Sequence, residues 1–172
     1  MKSSDASSLC LECGLCCNGV IFGHGQLQPG DDVQQLRELG LRLKKPQAET
    51  RNPKFLQPCA TLDGCRCQIY ADRPKYCREF DCLLLQGVLA DRVGLPAARR
   101  RVRFAIRRVE KVKRLLAELG DTDESVALSL RFRRVKRRLE MSAADAATAE
   151  RYGRLTLAMH DLNLLLGENF YR

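Results

Sequence analysis

Residues 101–120 read RVRFAIRRVEKVKRLLAELG. Val102, Ala105, Val109, Val112, Leu116 and Leu119 recur at alternating spacings of three and four. That period gathers side chains onto one stripe of an α-helix, and a stripe this long asks for a partner helix. Pro96 suits the first turn, where a missing N–H is harmless, and Gly120 suits the left-handed residue that ends a helix. Downstream, Leu128, Phe132, Val135 and Leu139 continue the seam. Their helix is expected to start near Asp121–Glu124, where acids meet the positive end of the helix dipole. A third helix from about Ser142 carries Leu155, Ala158, Leu162 and Leu165. Three amphipathic helices with short connections predict an antiparallel bundle and a mainly α fold class.

Upstream the pattern changes. PGDDVQQLRELG, residues 29–40, predicts a short helix capped by Asp31, striped by Val33, Leu36 and Leu39, and stopped by Gly40. Residues 41–76 hold Pro46, Pro53, Pro58 and Pro74, which read as loop with a short strand at CQIY, residues 67–70. A helix is expected from near Tyr76 through CREFDCLLLQGVLAD, ending at Asp91. Residues 1–9 read as a flexible tail and 10–25 as a Cys- and Gly-rich loop. The expected organisation is that tail, a cysteine-cluster metal-binding region over 10–92, and a basic helical region over 93–172 packed with it as one domain. A chain of 172 residues suits one domain.

Composition bounds the function. The chain is 45% hydrophobic and 30% charged, as globular proteins are. No apolar run approaches the roughly eighteen residues of a membrane span. The stretch CLLLQGVLA is broken by Gln86 and Gly87. MKSSDASS at the start lacks the apolar segment of a secretory signal. The expected location is therefore the cytoplasm, where thiols stay reduced. Nine cysteines there, an odd number, read as metal ligands rather than as disulfides.

The cysteines fall into two groups. CLECGLCC supplies Cys10, Cys13, Cys16 and Cys17; CATLDGCRCQIYADRPKYCREFDC supplies Cys59, Cys65, Cys67, Cys77 and Cys82. Zinc and iron–sulfur centres take four sulfur or nitrogen ligands, and the first three cysteines are spaced as in a bacterial ferredoxin run. The fourth ligand of that run is missing here, so the second group has to complete the site. Cys16 and Cys17, being adjacent, have diverging side chains that suit different sites or roles. Two four-ligand sites, or one cluster with spare thiols, both remain open, as does a core in which thiols act as small hydrophobes.

These two groups resemble the YkgJ-type cysteine-cluster family, also known for its CxxCxxCC zinc- or iron-chelating domain. The family's C-x2-C-x2-C-C element is matched by Cys10, Cys13, Cys16 and Cys17. Its C-x-I-Y-x-x-R-P-x-x-C-R-x-F element is matched by Cys67, Ile69, Tyr70, Arg73, Pro74, Cys77, Arg78 and Phe80. Cys59 precedes it, Cys82 closes it, and Cys65 is an extra. The resemblance covers about residues 10–82. It implies zinc or an iron–sulfur cluster as cofactor, held by Cys10, Cys13, Cys16, Cys17, Cys59, Cys67, Cys77 and Cys82, and a structural, metal-handling or redox-sensing role.

Other residues are weighed beside these. His24 reads as a loop histidine with some claim to complete the site, and His160 as a helix-surface or interface residue. Arg73 and Arg78 suit hydrogen bonds to thiolates or loop carbonyls, or salt bridges to Asp72 or Glu79. Tyr70 and Phe80 read as packing around the site. Residues 1–95 carry 12 Lys/Arg against 11 Asp/Glu, whereas 96–140 alone carry 15 against 6. These basic helices give the alternative reading: a nucleic-acid-binding module with a structural metal, or docking of an acidic protein, with Arg107, Arg108 and Arg134 as contacts. No phosphate-binding glycine loop, G-x-S-x-G or H-E-x-x-H is present, so the chain is not expected to be an enzyme on its own.

Overall fold

The computed structural model describes residues 2–44, 52–142 and 145–171, so Pro46 lies outside them. Helix α1 (Lys2–Cys13) is followed by β1 (His24–Gln26), α2 (Val33–Glu38), β2 (Leu43–Lys44) and β3 (Lys54–Leu56). A hairpin of β4 (Leu62–Asp63) and β5 (Arg66–Cys67) leads to α3 (Lys75–Glu79) and α4 (Leu83–Leu89). The chain ends with α5 (Leu95–Glu118), α6 (Leu128–Glu140) and α7 (Ala146–Asn169). The fold is mainly α.

Helix α5 is the axis of the larger core. Its stripe residues Val102, Ala105, Val109, Val112, Leu116 and Leu119 are all buried. Helix α7 covers α5 with Leu155, Ala158, Leu162 and Leu166. Arg108 pairs with Asp161 at 3.2 Å, and Val102 faces the same cavity as Phe170, so the two helices run antiparallel. Helix α6 also lies on α5, and its Phe132 stacks on Tyr152 of α7. The seam has two further partners that a three-helix bundle does not supply. Helices α1 and α4 pack on α5 through Leu9 and Leu84, so the cysteine-bearing half contributes to the same core.

Several local expectations are revised by tertiary contacts. Residues 2–9, read as a tail, belong to α1. Leu9 is 2% exposed, and Glu12 is held by Arg99 of α5 through Nε and Nη2 at 3.0 and 2.8 Å. The helix α6 starts at Leu128 rather than at Asp121–Glu124, because Asp121 is buried and accepts from Arg131 and Arg134 instead of capping a helix. The Leu128 amide donates to Gly19 O at 2.9 Å, tying this helix start to the cysteine loop. Helix α7 starts at Ala146, where Asp145 accepts from the Thr148 amide at 2.7 Å.

The helix expected from Tyr76 to Asp91 is broken in two. Phe80 is extended, and Cys82 becomes the N-cap of α4. The strand expected at CQIY is not formed as such: β5 covers Arg66–Cys67 and shares only Cys67 with it. Helix α2 is capped by Asp32, which accepts from the Gln35 amide at 2.9 Å. Asp31 instead accepts from the amides of Gln28 and Lys75. Gly40, at φ +95°, ends α2 as read from the sequence, with the Leu41 amide returning to Leu36 O.

A second, smaller core lies under the sheet β1–β3–β2, which is antiparallel throughout. It comprises Leu27, Leu36, Leu41, Phe55 and Ile69. Among the described residues no helix is long and apolar enough to cross a membrane.

Candidate metal centre

The two cysteine groups are delivered by different kinds of backbone. Cys10 and Cys13 lie one helical turn apart on α1 and so share a face. Gly14, at φ +63°, then turns the chain, a conformation open to glycine at little cost. The Cys17 and Asn18 amides donate back to Gly14 O, and Leu15, fully buried, pins the turn to the larger core. Cys16 and Cys17 sit in this turn. The Cys59 amide donates to Cys17 O at 2.7 Å, which ties the second group to the first. Cys59 Sγ lies 3.2 Å from Thr61 Oγ1. Cys67 is on β5 opposite Leu62, Cys77 is on α3, and the Cys82 sulfur accepts from the Leu85 amide at 3.5 Å.

All nine cysteines line one cavity of about 220 Å³. Its wall is completed by Leu84, Val102 and Phe170 from the larger core and by Phe55 and Ile69 from the smaller. Phe22 meets Phe80 and Tyr76 edge-on at 4.9 and 5.8 Å, and Phe80 and Tyr70, the two aromatics of the family element, line the cavity with Tyr76. Cys10 is exposed and the other eight cysteines are half-buried.

Burial governs the thiol protonation. It pushes Cys13, Cys17 and Cys77 up to about 12 from an ordinary 9.0, and Cys10, which lines the cavity although much of the residue is exposed, up to about 11. Cys16 is raised well above that value, and Cys82 is raised, for the same reason. Neighbouring thiolate charge adds to burial in most of them, and the Arg73 guanidinium opposes it at Cys10, Cys17 and Cys77. A bare thiolate cluster is therefore disfavoured: the pocket wants either protons or a cation. Coordination by a divalent metal replaces those protons.

The donor set fits a thiolate-bound metal by its chemistry. It offers more than four soft ligands, a nearby cation and a wall that excludes part of the solvent. Gln57, 6% exposed, lines the same cavity, and its Oε1 is the unpaired buried side-chain polar atom among the described residues. A purely hydrocarbon interior would leave such an atom at a cost of about 1–3 kcal/mol. The thiols are spread around the wall rather than drawn in. Among the described residues no three of His, Cys, Asp or Glu already stand together as a ligand set. Zinc–sulfur bonds of about 2.3 Å would require them to contract inward.

The other residues singled out in the sequence are placed as follows. Cys65, the extra cysteine, lines the cavity beside Gly14, where an added Cβ would lie 3.5 Å from its sulfur. His24 is exposed at the start of β1, and His160 is exposed on α7; neither lines the cavity. Arg73 Nε donates to Tyr70 O at 3.0 Å, and its guanidinium stacks 3.6 Å from the Tyr70 ring centre. Glu79 pairs with Lys75 rather than with an arginine. Thr61 and Gln57 escaped the sequence reading; their flanking of Cys59 by two residues is the only signal they carry.

The basic helices spend part of their charge internally. Arg108 pairs with Asp161, Arg134 with Asp121 and Asp123, and Arg107 lies over Phe104. Burial alone would raise the Asp121 carboxyl. Hydrogen bonds from Arg134 and Arg131 outweigh it and hold that group below its ordinary value.

A sequence model of the CxxCxxCC family, described as "Putative zinc- or iron-chelating domain", matches residues 9–94. No curated protein and no solved structure matches the chain. The matched span takes in 86 of 172 residues and all nine cysteines. The chain belongs to the CxxCxxCC family.

Proposed function

We propose that the protein chelates zinc or iron, the latter as an iron–sulfur cluster, through Cys10, Cys13, Cys16, Cys17, Cys59, Cys67, Cys77 and Cys82. The observation that carries this reading is one cavity lined by every cysteine of the chain, from segments as far apart as α1 and the start of α4. When bound, the metal supplies the positive charge that lets buried thiols ionise together.

The role that suits this site is metal handling or redox sensing. Structural zinc sites are closed, whereas none of these cysteines is fully buried and Cys10 is exposed. An open rim lets a metal, a chelator or an oxidant reach the sulfurs. The wall is shared with Val102 and Phe170, so loading also acts on the core around α5 and α7. The nucleic-acid reading draws less support, because Arg108 and Arg134 are engaged by acids of the same chain.

The test is anaerobic purification of the full chain, followed by metal and sulfide analysis and an absorption spectrum. The expected result is stoichiometric zinc, or iron with acid-labile sulfide and a broad visible band. Removing the metal with a chelator should lower the melting temperature. Protein that carries no metal, takes up none when reduced, and melts identically with chelator would overturn the proposal.

A further inference from the structure

We propose that the eight cysteines form two separate four-thiolate centres, one from Cys10, Cys13, Cys16 and Cys82 and the other from Cys17, Cys59, Cys67 and Cys77. This rests on the chelation reading above and says how that site is divided.

Three placements carry it. The first is packing. Cys13 and Cys82 lie against the larger core, whereas Cys59, Cys67 and Cys77 lie against the smaller one. These five sulfurs are thus anchored to two different hydrophobic bodies. The second is backbone connection. Helices α1 and α4 are in contact, which brings Cys10 and Cys13 to the Cys82 cap. The Cys59 amide bonds to Cys17 O, which brings Cys17 rather than Cys16 to the second set. The third is the break between α3 and α4. Cys77 and Cys82, five residues apart, would sit on neighbouring turns of one continuous helix. The extended residue Phe80 instead directs Cys77 to the smaller core and Cys82 to the larger.

Adjacent residues Cys16 and Cys17 stand on either side of the boundary, as the Cys59 amide on Cys17 O and the diverging side chains of neighbouring residues suit. Cys65 is left over, beside Gly14 and outside either set.

The experiment is a titration of the reduced, metal-free full chain with Co2+ alone, combined with thiol alkylation and intact-mass spectrometry. The wild type should bind two equivalents. Because each ion protects four sulfurs at once, chains should carry nine, five or one alkyl groups, and peptide mapping should place the last on Cys65. Chains with five alkyl groups should protect one proposed set or the other, never a mixture. Cys10→Ser/Cys82→Ser and Cys59→Ser/Cys77→Ser should each bind one equivalent, and Cys65→Ser two. A wild type that binds one equivalent, or that protects a set mixing Cys16 with Cys59, would overturn the division while leaving chelation intact. Nine alkyl groups at every Co2+ concentration would overturn both. The mapping uses wild-type protein, so it decides the matter even where a serine variant fails to fold.

Discussion

Gly25→Ala should unseat the smaller core. Gly25 is the cross-strand partner of Phe55 in the β1–β3 ladder, and the Phe55 ring lies over it. A Cβ at position 25 would fall 2.5 and 2.7 Å from Phe55 Cε1 and Cε2, and closer still to Cζ. Phe55 is 1% exposed and meets Tyr76 edge-on at 6.2 Å, so the ring can give way only into the thiol cavity that it lines. Overpacking costs about 1–3 kcal/mol when the neighbours can shift, and losing the ring from the core costs about 3–5 kcal/mol. The expected loss is about 3 kcal/mol, which at roughly 2–4 °C per kcal/mol lowers Tm by about 6–12 °C. The same core holds Cys59, Cys67 and Cys77, so Co2+ binding should weaken there more than at Cys10, Cys13 and Cys82. Thermal melts read the first effect and a Co2+ titration the second. Adding Phe55→Leu should make the double variant less destabilised than the sum of the two single changes, because the clash is shared. A Gly25→Ala protein that melts with the wild type would refute the placement of the ring.

Two further outcomes follow from buried charge. Asp121→Asn leaves Arg131, 2% exposed like the carboxylate it pairs with, without its counter-ion, and should cost about 3–5 kcal/mol by urea unfolding at neutral pH. Because the folded carboxyl is held below 3.8, its contribution is present above that value and fades as pH falls through the lowered one. The gap between variant and wild type should therefore narrow in acid; a gap independent of pH would count against the pair. In metal-free protein the thiols are raised, so their contribution is full below pH 9.0 and is lost as pH rises toward about 11–12. Metal-loaded protein should show the opposite trend, losing stability on acidification as protons compete for sulfur. Parallel urea melts across pH, with and without chelator, check this, and identical profiles would argue that no thiol is coordinated.

The helical seam was legible because its information is periodic and local. Val102 to Leu119 repeat at helical spacing, and each of them is buried as that period requires. Gly40 and Gly120 mark helix ends by a left-handed backbone that few other residues adopt readily. Misplaced boundaries share a cause. The acid Asp121 looked like a helix-dipole partner, but two arginines on the next helix claimed it. The run from Tyr76 to Asp91 looked like one helix because nothing local breaks it, yet Cys82 serves as a cap and Phe80 is extended and meets Phe22 edge-on.

The amino-acid order alone determined that the chain is mainly α, that its cysteines fall into two groups of ligand type, and which family they belong to. Those properties reside in spacing along the chain, which folding does not change. Only the tertiary structure decided that one cavity collects every thiol, that α1 and α4 share α5 with the basic helices, and that the Cys59 amide is tied to Cys17 O. Distances between residues separated by dozens of positions depend on how hydrophobic faces pack, and no short-range pattern encodes them.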